Sequence, residues 1–322
     1  MSGLRRLGRS DIELSAIGLG CWQFSEGQGL IGGYWKALPQ ETVDEIVATS
    51  LRGGINWFDT AEIYGNGRSE RALARALQAA GKGDDDVVVA TKWFPVLRPA
   101  GSIRRTIGDR LAALAPYSID LHQVHHWSGL SPVESEMKVM ASLVAEGKIR
   151  AVGVSNFGSW RMRRAHAALA ARGSGLASNQ VKYSLLDRHV ERNGVLAAAK
   201  ELGITLIAYS PLEQGLLSGK FHDDPGLVAK TGGPRRKLSR FRERGLARSR
   251  PLVEELKRIA AAHGATPSQV ALAWLLTFHG DTIVAIPGAS KTSQAVENAA
   301  SMPLKLSPLE LTRIDELSRA FV

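Results

Sequence analysis

The residues Asn56-Trp57-Phe58-Asp59-Thr60-Ala61-Glu62-Ile63-Tyr64-Gly65 form a short apolar run that ends in an acid and carries a tyrosine five positions further on. This order predicts a buried strand that brings Asp59 to its end, followed by a loop that places Tyr64 beside it. The next two apolar runs end in Lys92 and in His125. In a parallel barrel the carboxyl ends of the strands meet at one mouth. The sequence therefore predicts that an acid, a tyrosine, a lysine and a histidine share one site.

Apolar runs recur along the chain with helix-period segments between them, which is the pattern of repeated β-α units. The strand candidates are residues 16–20, 55–58, 87–90, 120–124, 151–154, 177–181, 205–208 and 282–285. Eight parallel strands are enough to close a barrel, so we predict the α/β class and a (β/α)8 TIM barrel. Residues 4–15 read as a hairpin of two short strands, which cannot join a parallel sheet. No linker suggests a second domain, and we predict one domain over residues 1–322.

The sequence also predicts where particular helices begin. A helix over residues 132–145 is expected to start after Ser131, with Glu134 three positions on in a capping box. Two further helix-period segments are predicted to form helices over residues 191–202 and 250–263.

Two loops at the predicted barrel mouth are long. They follow the first and seventh strands and cover residues 21–40 and 210–250. Long loops at such a mouth are usually functional or disordered. We interpret these two as the cover of a cofactor and the wall of a substrate pocket.

The net charge of +10 is concentrated in one stretch of the chain. Between Lys230 and Arg250 lie nine lysines and arginines against the single acid Glu243, a net of eight positive charges. The stretch is either a solvated loop, a cover for a cofactor phosphate or an anionic substrate, or a nucleic-acid contact. Phe241 is its one aromatic residue, so it lacks the stacking platforms of single-strand binders. We predict no nucleic-acid partner.

Cysteine use and hydropathy limit the class of protein. The single cysteine, Cys21, excludes an intramolecular disulfide and a cysteine-built metal site, and no metal is predicted. No run approaches the ~18 apolar residues of a membrane span, and the first residues lead into no signal-type segment. We therefore expect a cytoplasmic enzyme without a membrane partner.

Three segments together resemble the aldo-keto reductase family: residues 58–65, Gly153-Val154-Ser155-Asn156-Phe157 and Ile286-Pro287-Gly288-Ala289-Ser290-Lys291. The similarity extends from Leu4 to about Leu317. It implies a barrel with the hairpin on its floor and the NADPH-dependent reduction of an aldehyde or ketone to the alcohol. Residues 176–185 are similar to bacterial and plastid branches of the family that include pyridoxal-reductase-like proteins.

The resemblance implies a catalytic role for Asp59, Tyr64, Lys92 and His125, with Tyr64 as the proton donor. A free tyrosine has a pKa of about 10, and the ammonium of Lys92 is expected to lower it by favouring the phenolate. His126 competes with His125 for the histidine position. Successive strand side chains point to opposite faces, so only one of the two enters the mouth, and the family alignment selects His125.

The resemblance also implies a set of cofactor contacts. Four residues would hold and stack on the nicotinamide: Ser155, Asn156, Gln180 and Tyr209. A loop that would cover the pyrophosphate contains Ser210, Pro211, Leu212, Gln214, Gly215 and Lys220. A pocket for the adenosine 2′-phosphate would be formed by Gly288, Ser290, Lys291, Gln294, Glu297 and Asn298. Gln294 stands where many members carry an arginine, which weakens the preference for NADPH over NADH without removing it.

Substrate and partners are less well specified. Tryptophans that follow strand ends predict an aromatic pocket for a small carbonyl substrate, lined by Trp22, Trp93 and Trp127. The alternative function is a cofactor-binding regulatory or interaction subunit with vestigial activity. Both a monomer and a homo-oligomer stay open.

Overall fold

A parallel sheet of eight strands forms the centre of the molecule. The computed structural model describes residues 3–29, 34–231 and 237–322. The eight strands lie beside one another in chain order. They are β3 (Leu19–Gly20), β4 (Trp57–Asp59), β5 (Val88–Trp93), β6 (Leu121–Val124), β7 (Ala151–Ser155), β8 (Leu176–Lys182), β9 (Thr205–Tyr209) and β10 (Ile283–Ile286).

The sheet closes on itself between its first and last strands. Ile17 bridges to Ala285, and Gly20 bridges to Gly288, both in the parallel sense. A Cβ atom on Gly20 would lie 2.9 Å from the carbonyl oxygen of Ile286, so the closure needs a glycine there. The predicted TIM barrel is confirmed. Its first strand is shorter than the predicted residues 16–20, because the chain meets the last strand only at isolated bridges.

The N-terminal hairpin closes the floor of the barrel. It pairs β1 (Arg5–Arg6) with β2 (Glu13–Leu14) in antiparallel fashion. Its apolar side chains Leu7, Ile12 and Leu14 are buried together with barrel residues that include Trp57, at the start of β4. Residues at the amino ends of the strands thus seal the floor, which confirms the expected position of the hairpin.

Helices surround the barrel on its outer side. They are α1 (Gln40–Arg52), α2 (Arg68–Ala79), α3 (Gly101–Leu114), α4 (Val133–Ala145), α5 (Ser159–Ala170), α6 (Val195–Leu202), α7 (Lys220–Asp223), α8 (Glu243–His263), α9 (Pro267–Thr277), α10 (Thr292–Ala300) and α11 (Pro308–Ser318). Across the described residues, every helix is too short or too polar to cross a membrane.

Three predicted helix starts are wrong. The Ser131 hydroxyl accepts the Ala100 N–H at 2.9 Å and caps nothing, so α4 begins after Pro132. The helix predicted from residue 191 begins at Val195, because Gly194 has a left-handed φ of +82°. The helix predicted from residue 250 begins at Glu243.

Helix α8 begins seven residues before the predicted start, because tertiary packing outweighs the tendency of a proline to end a helix. Pro251 lies inside this helix, although proline usually ends or kinks a helix. The first turn of α8 carries Leu246, which is buried in a small apolar cluster with Leu216, Phe221 and Phe241. Burial of this turn stabilises the helix before the proline.

Helix α4 carries a buried acid, Glu136, whose pKa is shifted by its surroundings. Glu136 is 2% exposed and forms no ion pair with any residue that the structure describes. Burial raises its pKa to about 8, against the opposing charge of Arg161. Two positions earlier, Glu134 is bonded to Arg164 at 2.7 Å, and its pKa is lowered.

We expect Glu136→Gln to change how stability depends on pH. The raised pKa means that the folded protein keeps a proton that the unfolded chain releases above about pH 4.5, so wild-type stability falls as the pH rises towards 8. The upper limit for one proton is about 1.4 kcal/mol per pH unit. Urea unfolding between pH 5 and 8 should show a flatter profile for Glu136→Gln. Glu134→Gln is the matched control and should keep the wild-type slope, and equal slopes in all three proteins would contradict the prediction.

Candidate active site

A buried ion pair lies at the centre of the barrel mouth. Asp59 ends β4, and Lys92 lies near the end of β5. The Lys92 Nζ atom is 2.5 Å from Asp59 Oδ1 and 2.8 Å from the carbonyl oxygen of Thr60. Burial alone would lower the pKa of Lys92, but the charge of Asp59 and the hydrogen bonds to Asp59 and Tyr64 outweigh it, and the pKa is raised. The lysine therefore stays an ammonium at neutral pH.

Two glutamines complete the hydrogen bonds of Asp59. Its Oδ2 atom accepts the side-chain amide of Gln123 at 3.1 Å and that of Gln180 at 2.8 Å. Gln180 is one of the residues predicted to contact the cofactor, whereas Gln123 is not among the predicted site residues. Alternation along β6 could have found it, because Leu121 packs in the barrel interior and a residue two positions on faces the same way.

Tyr64 lies in the loop after β4 and faces the ion pair. The centre of its ring is 5.1 Å from Lys92 Nζ. Burial raises the pKa of Tyr64 above its ordinary value, and Lys92 opposes this without reversing it. The expectation of a lowered tyrosine pKa is therefore wrong for this structure, because the loss of hydration outweighs the nearby cation. At neutral pH the phenol keeps its proton and is available as a donor.

His125 and His126 separate as the alternation rule requires. The ring of His125 meets Tyr64 edge-on at 5.8 Å between centroids. Burial, then Lys92 and His126, lower the pKa of His125 far below its ordinary value, so the ring is neutral. Its Nδ1 atom has no hydrogen-bond partner within the described part of the chain. His126 instead contacts Ser128 at 3.0 Å and lies beside Trp127.

The four predicted nicotinamide contacts form one connected group. The Tyr209 hydroxyl donates to Asn156 Oδ1 at 2.9 Å, and the Asn156 amide donates to Ser155 Oγ at 2.9 Å. Ser155 Oγ donates to the carbonyl oxygen of Gln180 at 3.0 Å. Asn156 has a left-handed φ of +60°, which turns the chain sharply after β7. These side chains present amide and hydroxyl groups beside His125.

The loop after β9 is shaped by left-handed residues. Ser210, Gln214 and Gly215 all have positive φ values. Gln214 Oε1 accepts the Tyr34 hydroxyl at 2.6 Å, which joins this loop to the one after β3 across the mouth. The other predicted contacts of this loop vary in exposure: Pro211 is buried, Leu212 is partly buried and Lys220 is exposed.

A buried acid that the sequence analysis missed fixes the same loop. Glu213 is fully buried and forms ion pairs with Lys182, at 2.7 Å, and with Arg240. Arg240 belongs to the basic stretch, whose residues 232–236 lie outside the described residues. Arg248 and Arg250 donate to the carbonyl oxygens of Ala320 and His222. Part of the basic stretch therefore supports the fold.

The loop after β10 supplies donors at the start of α10. Gln294 Oε1 accepts both the Ser290 N–H, at 2.8 Å, and the Ser290 hydroxyl, at 3.2 Å. Lys291 is the exposed residue before α10, so a cation lies at a helix N-terminus. Asn298 is 3% exposed, and its amide nitrogen has no partner among the described residues.

These groups fit an adenine nucleotide. Helix N-termini and a nearby lysine bind phosphate, and an unpaired buried amide can donate to a base or a sugar. Gly288 and Glu297 lie on the same segment and are partly buried. A barrel mouth with a protonated tyrosine, a buried lysine and nucleotide-binding donors has the parts of a nicotinamide-dependent oxidoreductase.

The three predicted substrate tryptophans have different surroundings. Trp22 stacks on Tyr64, with 6.0 Å between ring centroids, and therefore lines the mouth. Trp127 is half-exposed beside His126. Trp93 is 1% exposed and donates to Ser102 Oγ at 3.0 Å, so it packs outside the barrel against α3. Its assignment to the substrate pocket is wrong, because Lys92 faces inward and the next residue of a strand faces outward.

Sequence comparisons identify the family of the chain. The sequence model that describes the Aldo/keto reductase family matches residues 16–319 of this chain. An uncharacterised oxidoreductase of Mycobacterium tuberculosis is 40% identical over 311 residues, which cover 96% of this chain and 91% of that protein. A probable aldo-keto reductase of Glycine max is 30% identical, with 97% of this chain and 87% of that protein covered.

Solved structures give the same result. A glycerol dehydrogenase of Gluconobacter oxydans is similar with a TM-score of 0.83 and 27% identity, covering 100% of this chain and 96% of that one. An aldo/keto reductase of Klebsiella pneumoniae, in complex with NADP and acetate, has a TM-score of 0.74 and 27% identity, covering 99% and 96%. The chain belongs to the aldo/keto reductase family, whose members are oxidoreductases with nicotinamide cofactors.

The buried ion pair predicts a specific stability pattern. Asp59→Asn leaves the Lys92 ammonium buried without its counter-charge, and breaking a buried pair from one side costs about 3–5 kcal/mol. The double variant Asp59→Asn, Lys92→Met removes both charges and should regain most of that loss. Urea unfolding at pH 7 measures both. Glu201→Gln, which breaks the exposed pair with Arg163, is the control and should leave stability close to that of the wild type. A double variant no more stable than the single one would contradict this account.

Proposed function

We propose that the protein reduces an aldehyde or ketone to the alcohol with NADPH, and that Tyr64 donates the proton. The observation that carries this proposal is the convergence of a protonated Tyr64, the Lys92–Asp59 pair and a neutral His125 at one barrel mouth. When bound, the reduced nicotinamide supplies a hydride to the carbonyl carbon.

The side chains divide the remaining work. Tyr64 and the neutral His125 can both donate a hydrogen bond to a carbonyl oxygen, which orients and polarises it. As the oxygen gains negative charge, Tyr64 gives up its phenol proton to it. The phenolate that results faces the Lys92 ammonium, which stabilises it. Asp59, held by its two glutamine contacts, keeps the ammonium in place.

Cofactor binding follows from the groups at the ends of β7 to β10. Ser155, Asn156 and Tyr209 would hold and stack on the nicotinamide. Gln180 accepts the Ser155 hydroxyl with its backbone carbonyl, while its side-chain amide donates to Asp59. Ser290 and Lys291 would bind the 2′-phosphate that distinguishes NADPH from NADH. The substrate would be a small carbonyl compound that enters between Trp22 and Trp127.

We expect Tyr64→Phe to abolish most of the turnover. General acid catalysis contributes about 10²- to 10⁴-fold, so kcat should fall by that order, while NADPH binding should stay within about twofold of wild type. NADPH oxidation at 340 nm with aromatic aldehydes, aliphatic aldehydes and pyridoxal measures the first, and quenching of tryptophan fluorescence measures the second. Tyr117→Phe, which removes a hydroxyl bonded to the Lys82 carbonyl away from the mouth, is the control and should retain activity.

The same assay separates the reductase from a regulatory subunit. Turnover in wild type that collapses in Tyr64→Phe supports the reductase. NADPH binding with no turnover on any carbonyl class would instead favour the regulatory function.

Lys291 should decide between the two nicotinamide cofactors. Lys291→Gln removes a cation that pairs only with the 2′-phosphate, so the Kd for NADPH should rise by about 5- to 30-fold, equivalent to about 1–2 kcal/mol. The Kd for NADH should not change. Fluorescence titration with both cofactors tests this, and Lys305→Gln, an exposed lysine elsewhere, is the control. An equal loss for NADPH and NADH would refute the assignment.

A further inference from the structure

A cluster of buried charge lies next to the active site and has no part in the chemistry proposed above. Its acids are Glu62, 8% exposed, and Glu70, which is fully buried. Its cations are Arg98, on the loop after β5, and Arg110, on α3. Burial raises the pKa of Glu70 to about 7 against the opposing charge of Arg110, so this acid is only partly ionised at neutral pH.

Glu62 joins the segment that carries Tyr64 to the strand that carries Lys92. Its backbone N–H donates to the carbonyl oxygen of Lys92 at 3.2 Å. Its carboxylate accepts the backbone N–H of Phe94 at 2.5 Å. Two bonds from one residue thus hold the end of β5 at the Lys92 carbonyl and at the Phe94 N–H, on either side of Trp93.

The same residue closes the turn in which Tyr64 lies. The Gly67 N–H donates to the carbonyl oxygen of Glu62 at 2.9 Å, and the Tyr64 N–H donates to that of Ala61 at 3.0 Å. Gly67 has a left-handed φ of +83° and leads directly into α2. The position of Tyr64 is therefore fixed from Glu62 on one side and from α2 on the other.

Two arginines hold the Glu62 carboxylate in place. Arg98 Nη1 is 2.5 Å from Oε1, and Arg110 Nη1 is 3.0 Å from Oε2. Hydrogen bonds between ionised groups are roughly twice as strong as neutral ones. With Phe94 as the third donor, the carboxylate has little freedom to turn.

Arg110 also reaches the strand of Lys92 by a second route. Its Nε atom lies 3.0 Å from Glu70 Oε2, as an ion-pair contact that is not aligned as a hydrogen bond. Glu70 Oε1 accepts the hydroxyl of Thr91 at 2.6 Å. The cluster therefore contacts the chain at Thr91, directly before Lys92, and at Phe94, just past the end of β5.

We propose that Glu62 is a positioning residue for the reaction, which sets the distance between Tyr64 and Lys92 and is itself held by Arg98 and Arg110. This inference rests on the proposed reductase activity. The distance between Tyr64 and Lys92 affects the reaction, because the ammonium favours the phenolate only while the two groups stay close. A shift of about 1 Å in such a pair can cost about 100-fold in rate.

The test compares variants of Glu62 and Arg110 in both directions of the reaction. Glu62→Gln keeps the size of the side chain and removes the charge that holds the two arginines. We expect kcat for carbonyl reduction to fall by about 10- to 100-fold, with the Kd for NADPH within about twofold of wild type. In alcohol oxidation the phenolate is the base, so the rising limb of the pH profile should move to higher pH as Lys92 loses its hold on Tyr64.

Conservative replacement separates positioning from folding. Arg110→Lys keeps a cation for Glu62 and should retain more of kcat than Arg110→Met, measured at a temperature where all variants are folded by circular dichroism. Glu146→Gln, which breaks an exposed pair with Arg104, is the control and should keep the wild-type kcat and pH profile.

The outcomes are distinct. A Glu62→Gln protein that is less stable but has the wild-type kcat and pH profile would overturn the inference and leave the reductase intact. A wild-type protein that binds NADPH without any turnover would overturn the reductase, and the positioning role with it. Lower kcat together with the shifted pH profile supports the inference.

Discussion

A lysine ammonium with no exposed surface is the constraint on which the site depends. Lys92 is tolerated in the barrel only because Asp59 lies 2.5 Å away, since an unpaired buried charge costs several kcal/mol. Strand register brings the two together. Asp59 pairs with Ala90 across β4 and β5, and Lys92, two residues beyond Ala90, points to the same inner face. A slip of one residue would turn Lys92 away from the mouth.

The closed barrel lets distant strands serve the same carboxylate. Asp59 receives Lys92 from β5, Gln123 from β6 and Gln180 from β8, and each donor satisfies part of its hydrogen-bonding capacity. An open sheet would bring only the adjacent strands this close. The carboxylate of Glu62 likewise accepts several donors, from Phe94 just past the end of β5 and from Arg98 in the loop that follows. Asp59 holds the ammonium of Lys92, and Glu62 holds the strand end that carries this lysine.

Features that follow from a local or repeating sequence pattern could be predicted from the sequence. Eight apolar runs and the hairpin predicted the barrel, and the strand-end residues predicted that Asp59, Tyr64, Lys92 and His125 would lie together, as they do. Strand alternation would have excluded Trp93 from the pocket. The four roles in catalysis stay predictions.

Features that arise only from tertiary contacts escaped the sequence. Ser131 lies where a helix cap is expected from the sequence. Its hydroxyl instead accepts the backbone N–H of Ala100, which is 31 residues earlier in the chain. The first turn of α8 forms ahead of Pro251 because Leu246 is buried. The importance of Glu213 and Glu62 follows from partners that are distant in the sequence, so neither residue carries a local signal.

In the proposed reaction, the opposing effects on the pKa of Tyr64 favour reduction at neutral pH. Burial raises the pKa of the phenol, which keeps the proton on the donor before reaction. Lys92 limits this increase, and each pKa unit that it recovers stabilises the phenolate product by about 1.4 kcal/mol. Without burial the donor would lose its proton more readily, and without the lysine the phenolate would be too costly to form. The balance depends on the distance between the two residues, so in the proposed reaction the backbone that fixes Tyr64 beside β5 contributes to catalysis.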